Sequence, residues 1–206
     1  LKENKKYNLT SITEPEEMLK KHFLDSASLL SELEFGEEDN IIDVGTGAGF
    51  PGMVLKIFLT DNEITLLDST QKKVTFLQIL SARLGIYEKL DAVHARAEDL
   101  ADKKSYRESF SHVVSRAVAP LNILLEYTVP FAQKDGYINC LKGPNYNKEI
   151  EEAEEAIEVL GVSLDNIKQI NIPNLQAERY LITFKKISST PDKYPRRAGI
   201  PKKRPL

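Results

Sequence analysis

The chain has 206 residues, of which 41% are hydrophobic and 29% charged, as expected for one soluble globular domain. No apolar run approaches the roughly 18 residues of a membrane span, and no signal peptide is visible. The single cysteine, Cys140, excludes an internal disulfide and a cysteine-cluster zinc site, and the three histidines lack metal-ligand spacing. We therefore expect a monomeric cytoplasmic protein with no metal and no membrane partner.

The net charge of −3 is unevenly distributed along the chain. The segment from Lys193 to Leu206 carries six basic side chains and no acidic one, so the preceding 192 residues carry −9. Charge alone leaves two readings open, a solubilising tail or a segment that contacts phosphates. Tyr194 beside Arg196 and Arg197, with prolines that restrict the backbone, favours a structured contact with RNA.

The predicted elements alternate between strands and helices after a helical segment at residues 1–39. Short apolar runs predict five buried strands, at residues 40–44, 64–67, 90–94, 112–115 and 136–141. Apolar side chains at helical spacing predict helices after Pro51 and at residues 71–84, 121–129 and 147–160.

The alternation ends after Gly161. Two strand-like segments, residues 164–172 and 179–186, follow each other across a turn around Pro173 and Asn174. Alternating strands and helices predict a parallel sheet covered on both faces, and the last pair predicts an antiparallel hairpin. The sequence therefore predicts a single α/β domain over residues 1–206, with its core at residues 40–187 and a basic tail at 188–206.

A glycine-rich loop, Asp-Val-Gly-Thr-Gly-Ala-Gly-Phe-Pro-Gly, occupies residues 43–52 after the first strand. Gly45 and Gly47 allow the backbone to come close to a ligand, which in such sheets lies at the carboxyl ends of the strands. The N-terminus of the following helix offers unpaired N–H groups to an anion. Asp68, at the end of the second strand, is placed to bind a ribose hydroxyl pair, so we expect a nucleoside cofactor.

Two classes of nucleoside cofactor fit the loop. Gly47, Gly49 and Gly52 also satisfy the G-x-G-x-x-G pattern, which keeps a nicotinamide-dependent oxidoreductase open. Asp43, two residues before the first glycine, and the closing hairpin favour S-adenosyl-L-methionine and the Rossmann-like class I methyltransferase fold, whose sheet has seven mostly parallel strands. A non-catalytic RNA-binding module is the third alternative, and the intact loop, Asp68 and Arg116 argue against it.

Missing motifs narrow the methyl acceptor. Ser-Arg-Ala-Val stands at residues 115–118, where exocyclic-amine methyltransferases carry Asn-Pro-Pro-Tyr or Asp-Pro-Pro-Tyr. No Pro-Cys pair is present, and Cys140 lies within a predicted strand, which favours a buried, inert thiol. These residues fit a methyl acceptor that needs no general base. The enzyme then has to supply only proximity and alignment. Guanine N7, with a lone pair and no proton, is one such acceptor, although this argument does not select it.

Eight segments, in order along the chain, resemble the bacterial small-subunit ribosomal RNA guanine-N7 methyltransferases, the glucose-inhibited division protein B family. They are residues 8–10, 21–22 with 25–26, 43–52, 67–69, 96–98, 115–119, 141–143 and 194–196. The resemblance implies methylation of N7 of guanine 527 in the 16S rRNA of the small ribosomal subunit. Family members usually begin with a further helical segment, and this chain begins with Leu1, so we expect a segment to be missing at the front.

The resemblance also implies site residues. The family's cofactor contacts fall on Gly45, Phe50, Asp68, Ser69, Ala97, Glu98 and Arg116, and the loop pattern adds Asp43 and Gly47. The RNA-facing residues would be His22, Lys142, Arg196 and Arg197. Arg116 and Lys142, which follow the fourth and fifth predicted strands, are the candidates for a catalytic role.

Overall fold

The computed structural model describes residues 2–173 and 175–206, and over these residues seven strands form one sheet. The strands are β1 (Asn40–Val44), β2 (Glu63–Asp68), β3 (Leu90–His94), β4 (Phe110–Arg116), β5 (Ala132–Lys142), β6 (Val162–Ile170) and β7 (Arg179–Lys186). Their order across the sheet is β3-β2-β1-β4-β5-β7-β6.

The strand pairing confirms the predicted fold. Strand β1 lies parallel between β2 and β4, and the parallel pairing continues to β3 on one side and β5 on the other. Strand β7 is antiparallel to both β5 and β6, so the hairpin inserts its second strand into the sheet. Of the turn predicted around Pro173 and Asn174, Asn174 lies outside the described residues.

The helices flank the sheet. They are α1 (Lys2–Tyr7), α2 (Pro15–Met18), α3 (Asp25–Ala27), α4 (Leu29–Glu32), α5 (Gly52–Phe58), α6 (Gln71–Leu84), α7 (Ala97–Ala101), α8 (Leu121–Thr128), α9 (Tyr146–Glu151), α10 (Glu154–Leu160) and α11 (Ile200–Lys203). A π-helical turn, Leu19–Leu24, joins α2 to α3. The helix predicted over 147–160 is interrupted, because the Ala153 N–H bonds the Ile150 carbonyl three residues back and tightens the turn between α9 and α10.

Alternate side chains of the central strands feed two hydrophobic clusters, one on each face of the sheet. Ile41 packs with α5, α6 and the N-terminal helices, whereas Ile42 packs with α8 and α10. The cluster that contains Ile42 also holds Tyr194, so the C-terminal tail (residues 188–206) packs on this face of the sheet. Both faces of the sheet are thereby buried, and its carboxyl edge is left for a site.

Candidate active site

Three cavities lie side by side along the carboxyl edge of the sheet. The nucleoside cavity, about 120 Å³, is lined by Asp68, Ser69, Ala97, Glu98 and the first loop glycine, Gly45. The loop cavity, about 200 Å³, lies over the glycine-rich loop. The acceptor cavity, about 560 Å³, lies beyond the ends of β4 and β5.

Shared wall residues make the three cavities one continuous site. Gly45 lines both the nucleoside and the loop cavity. Arg116, Ala117 and His22 line both the loop and the acceptor cavity. Ala117 has φ +53°, a left-handed conformation that is rare for a residue with a side chain and is often found at functional sites.

The nucleoside cavity is lined by five of the predicted cofactor residues: Gly45, Asp68, Ser69, Ala97 and Glu98. The Asp68 carboxylate is fixed at the end of β2, where it accepts hydrogen bonds from Gly47 N (2.9 Å) and Thr70 N (2.8 Å). Ser69 follows it directly, and Ala97 and Glu98 begin α7 on another wall of the cavity. Their predicted contacts with a cofactor stay predictions.

The loop glycines serve different purposes. Gly45 has φ +76°, and a Cβ there would lie 2.5 Å from Val118 Cγ2, so glycine is required by the approach of the β4–α8 segment. Gly47 has φ +61°, but a Cβ there would meet, among the described residues, only the Gly45 carbonyl oxygen at 3.9 Å. Gly47 therefore faces open space in the loop cavity, as expected for a glycine that leaves room for a ligand.

Asp43 lies beneath the loop and lines none of the three cavities. It is fully buried, and its Oδ2 accepts a hydrogen bond from Gly52 N at 2.7 Å. Burial raises the pKa of Asp43 to about 6. The predicted direct cofactor contact is therefore revised, because the carboxylate holds the far end of the loop instead.

Arg116 connects the end of β4 to the N-terminal segment. Its guanidinium donates to the Lys21 carbonyl (2.9 Å) and to Asp25 Oδ2 (2.9 Å), and lies over the Phe50 ring at 5.3 Å. Asp25 is buried and also accepts from Arg179 Nε at 3.1 Å. The sequence alone assigned no role in the site to either residue, although Asp25 lies in a segment that resembles the family. Arg179 was visible only as an arginine at the start of a strand.

His22 lies at the junction of the loop and acceptor cavities. Its ring stacks on Phe50 with centroids 4.9 Å apart, and its two nitrogens contact Thr10 Oγ1 (2.8 Å) and Arg116 Nη2 (3.1 Å). Burial and then the charge of Arg116 lower the pKa of His22, which favours the neutral ring. His22 thus lies in the wall of the site, and its predicted contact with RNA stays a prediction.

Lys142 lies in the wall of the acceptor cavity and is itself buried. Its ammonium donates to the Ala119 carbonyl (2.6 Å) and to Glu149 Oε2 (2.7 Å), and the same oxygen accepts from Leu121 N (3.0 Å). Lys142 therefore fixes the segment between β4 and α8. Its predicted catalytic and RNA-facing roles stay predictions.

The Arg196 side chain is 25% exposed, and its guanidinium is paired with a carboxylate of α8. Its Nη2 lies 2.6 Å from Glu126 Oε2 and its Nε lies 2.9 Å from Glu126 Oε1, and Glu126 is 0% exposed. A buried carboxylate therefore engages the guanidinium, and the predicted RNA contact of Arg196 stays a prediction. Arg197 is exposed, so its predicted RNA contact stays a prediction.

Other sequence predictions concern groups away from the cavities. Cys140 is buried, which confirms the expected thiol environment, and burial raises its pKa to about 12. Within residues 2–173 and 175–206, no group of three or more His, Cys, Asp or Glu side chains has the geometry to hold a metal ion. Over the same residues, no helix combines the length and apolar character needed to cross a membrane.

The antiparallel β7 between β5 and β6, with a continuous site at the carboxyl edge, defines the class I S-adenosylmethionine-dependent methyltransferase fold. The dinucleotide fold with the six-strand order 3-2-1-4-5-6 lacks this inserted strand. Solved structures agree on the fold. They include an Agrobacterium tumefaciens predicted O-methyltransferase (TM-score 0.62, 21% identity, 82% of each chain) and an Aquifex aeolicus SAM-dependent methyltransferase (TM-score 0.60, 16% identity, 84% and 94%).

The chain belongs to the GidB family, described as rRNA small subunit methyltransferase G, whose sequence model matches residues 1–180. A Desulforamulus reducens protein named ribosomal RNA small subunit methyltransferase G is 48% identical over 98% of this chain and 84% of its own length. A Clostridium tetani protein of the same name is 45% identical over the same shares. Family membership therefore rests on nearly the whole chain.

Proposed function

We propose that this protein transfers the methyl group of S-adenosyl-L-methionine to N7 of a guanine in 16S rRNA, at position 527. The observation that carries the proposal is the shared wall of Arg116 and Ala117 between the loop cavity and the acceptor cavity. Relatives that are 45% to 48% identical carry the name of a small-subunit rRNA methyltransferase. The substrate places the reaction in the bacterial cytoplasm, and we propose that the protein acts as a monomer.

The residues of the site fit the cofactor. Gly47 leaves open space above the loop, and Asp68 presents a fixed carboxylate in the nucleoside cavity. When bound, S-adenosylmethionine supplies an electrophilic methyl group on a sulfonium.

The acceptor cavity fits a nucleotide of a polyanion. Four basic side chains line it, Lys21, Arg116, Lys142 and Arg179, against two acidic ones, Asp25 and Glu149. The basic excess favours phosphate, and a volume of about 560 Å³ has room for a base. Guanine N7 brings its own lone pair, so these residues need only orient the base and exclude water.

The positive charge moves to the guanine as the methyl group is transferred. The two acids in the acceptor cavity are anchored, Asp25 by Arg116 and Arg179, and Glu149 by Lys142. Because these carboxylates are already fixed in place, they can stabilise the positive charge on the guanine without first having to reorient. Arg116 and Lys142 thereby act as positioning groups for the acceptor side of the site.

Methyl transfer to ribosomal RNA tests the proposal. Purified protein would be incubated with labelled S-adenosylmethionine and with small subunits, or their free RNA, from cells that lack the modification. Cleavage chemistry specific for N7-methylguanosine should then map the label to guanine 527. A label at another base, or no transfer by protein that binds the cofactor, would contradict the proposed substrate.

A further inference from the structure

The C-terminal tail packs beside the nucleoside cavity. Tyr194 is 7% exposed and packs in the cluster that holds Leu100 of α7 and Leu121 and Leu124 of α8. The Arg107 guanidinium donates to the carbonyls of Tyr194 (2.9 Å) and Thr190 (2.9 Å). The tail is therefore docked along the two helices that form one side of this cavity.

An ion pair with a buried carboxylate holds the tail at α8. Arg196 contacts Glu126 through its backbone N–H (2.7 Å) and through its guanidinium, with two nitrogens directed to the two carboxylate oxygens. Glu126 precedes Tyr127, which lines the nucleoside cavity. Hydrogen bonding to Glu126 raises the pKa of Arg196, which favours the charged guanidinium. Removing the guanidinium would leave a buried carboxylate without its charged partner.

The tail then reaches a residue of the cavity itself. Three residues after Arg196, the Gly199 N–H donates to Glu98 Oε1 at 3.1 Å. Gly199 has φ +84°, so the chain turns here in a conformation that glycine adopts freely. Glu98 is 5% exposed and lines the nucleoside cavity, and its second oxygen, Oε2, meets no hydrogen-bond donor among the described residues.

We propose that the docked tail positions Glu98 for cofactor binding. The Arg196–Glu126 pair holds Gly199 N against Oε1, and this contact directs Oε2 as an acceptor for an amino group in the nucleoside cavity. The inference rests on the proposed function, because the amino group that fits is the exocyclic amine of adenine. Arg196 and Glu126 are thus positioning residues that act through Glu98.

A ligand pair that differs in this amine tests the inference. The probes are S-adenosylhomocysteine and its deaminated analogue S-inosylhomocysteine, with dissociation constants measured by calorimetry. The wild-type protein should bind S-adenosylhomocysteine about tenfold more tightly than S-inosylhomocysteine, as expected for one hydrogen bond to a charged group. Arg196→Ala should remove most of this preference, because Oε2 is no longer held in place. If the substitution only disturbed the fold, both ligands would bind more weakly by the same factor, and the ratio of their dissociation constants would stay unchanged.

Matched variants complete the test. Lys202→Ala removes one exposed positive charge from the same tail and should leave both dissociation constants unchanged. Arg196→Lys keeps the charge without the two-pronged contact and should give an intermediate preference, and it replaces Arg196→Ala if that variant does not fold. In a Glu98→Gln background, Arg196→Ala should change the S-adenosylhomocysteine affinity by less than about twofold.

The outcomes separate this inference from the proposed function. An unchanged ligand preference in Arg196→Ala and Arg196→Lys would overturn the positioning role while the protein remains a cofactor-binding methyltransferase. Additive effects of Arg196→Ala and Glu98→Gln would also overturn it. Failure of the wild-type protein to bind S-adenosylhomocysteine would contradict the proposed function itself.

Discussion

The two terminal segments of the protein dock at different parts of one site and do so by different means. The N-terminal segment places Lys21, His22 and Asp25 in the cavity walls. The C-terminal tail places no side chain in the walls of the three cavities and reaches Glu98 through a backbone N–H. One segment therefore supplies groups to the reaction side, and the other supports the cofactor side.

We therefore expect the two terminal segments to control different properties of the protein. Arg116 and Asp25 join the N-terminal segment to the end of β4 inside the site, so disturbing them should affect turnover. Tyr194 and the Arg196–Glu126 pair hold the tail in the protein interior, so disturbing them should affect stability and cofactor affinity. Four substitutions test this division, in order of expected effect.

Tyr194→Ala should destabilise the protein most. Truncating a buried aromatic side chain leaves a cavity, and the free energy of unfolding should fall by about 3 kcal/mol. Urea denaturation measures this change. The control is Tyr87→Ala, which truncates a tyrosine that is 61% exposed and should cost within about 0.5 kcal/mol. Equal losses would mean that the tail adds nothing to the core.

Arg116→Ala should lower the rate of methyl transfer at saturating cofactor by about 100-fold, because both the N-terminal segment and the acceptor lose their alignment. Single-turnover assays on small subunits measure this rate. Arg179→Ala, which removes the other guanidinium on Asp25 but keeps Arg116, should have a smaller effect. A normal rate with weakened cofactor binding would show instead that Arg116 serves the cofactor alone.

Lys186→Met should remove a pH dependence that arises at the base of the tail. Lys186 is fully buried, with its ammonium hydrogen-bonded to Thr190 Oγ1 and 3.4 Å from Glu108 Oε1, and burial lowers its pKa to about 8. Between pH 8 and 10.5 the folded protein has released a proton that the unfolded chain still binds. The contribution of Lys186 to the free energy of unfolding should therefore rise with pH in this window, by up to about 1.4 kcal/mol per pH unit.

Urea denaturation of wild type and Lys186→Met at several pH values checks this sign. The difference between their free energies of unfolding should change in favour of the wild type as the pH increases from 8 to 10.5. Parallel profiles would mean that the lysine titrates in the folded protein as it does in the unfolded chain.

Arg197→Ala should have the smallest effect and should act on RNA alone. Arg197 is exposed on the tail and follows Arg196, which is paired with Glu126. If Arg197 contacts a phosphate, the slope of log affinity against log salt should decrease by about 1, with unchanged affinity for S-adenosylhomocysteine. Filter binding of small-subunit RNA at several salt concentrations measures the slope, and an unchanged slope would exclude this contact.

Local patterns predicted much of the fold. The bounds of β1, α6 and β3 agree with those expected from apolar runs and helical spacing, because these elements are defined by their own side chains. The motifs at the strand ends also placed Asp68, Glu98 and Arg116 on the cavity walls. The interruption between α9 and α10 was missed, since Ala153 has the same apolar periodicity as its neighbours.

The tail shows why the rest was not predicted. Arg196 has the sequence character of a surface charge, and its partner Glu126 lies 70 residues away. The available signal was in α8, where Glu126 stands among buried leucines and would need a cation if buried. The basic run does not identify Glu126 as its partner, and the sequence of α8 does not identify Arg196. The contact could not be predicted because it depends on tertiary packing.

The long sequence separation of the tail contacts has a consequence for biosynthesis. The Glu98–Gly199 contact joins residues 101 positions apart, and every strand of the sheet precedes Gly199. Translation from the N-terminus therefore completes the sheet before the chain can fix Glu98, and we expect full cofactor affinity to be acquired last. Chains arrested on the ribosome before Arg196 should bind S-adenosylhomocysteine more weakly than chains arrested well beyond the tail, and equal binding would contradict this order.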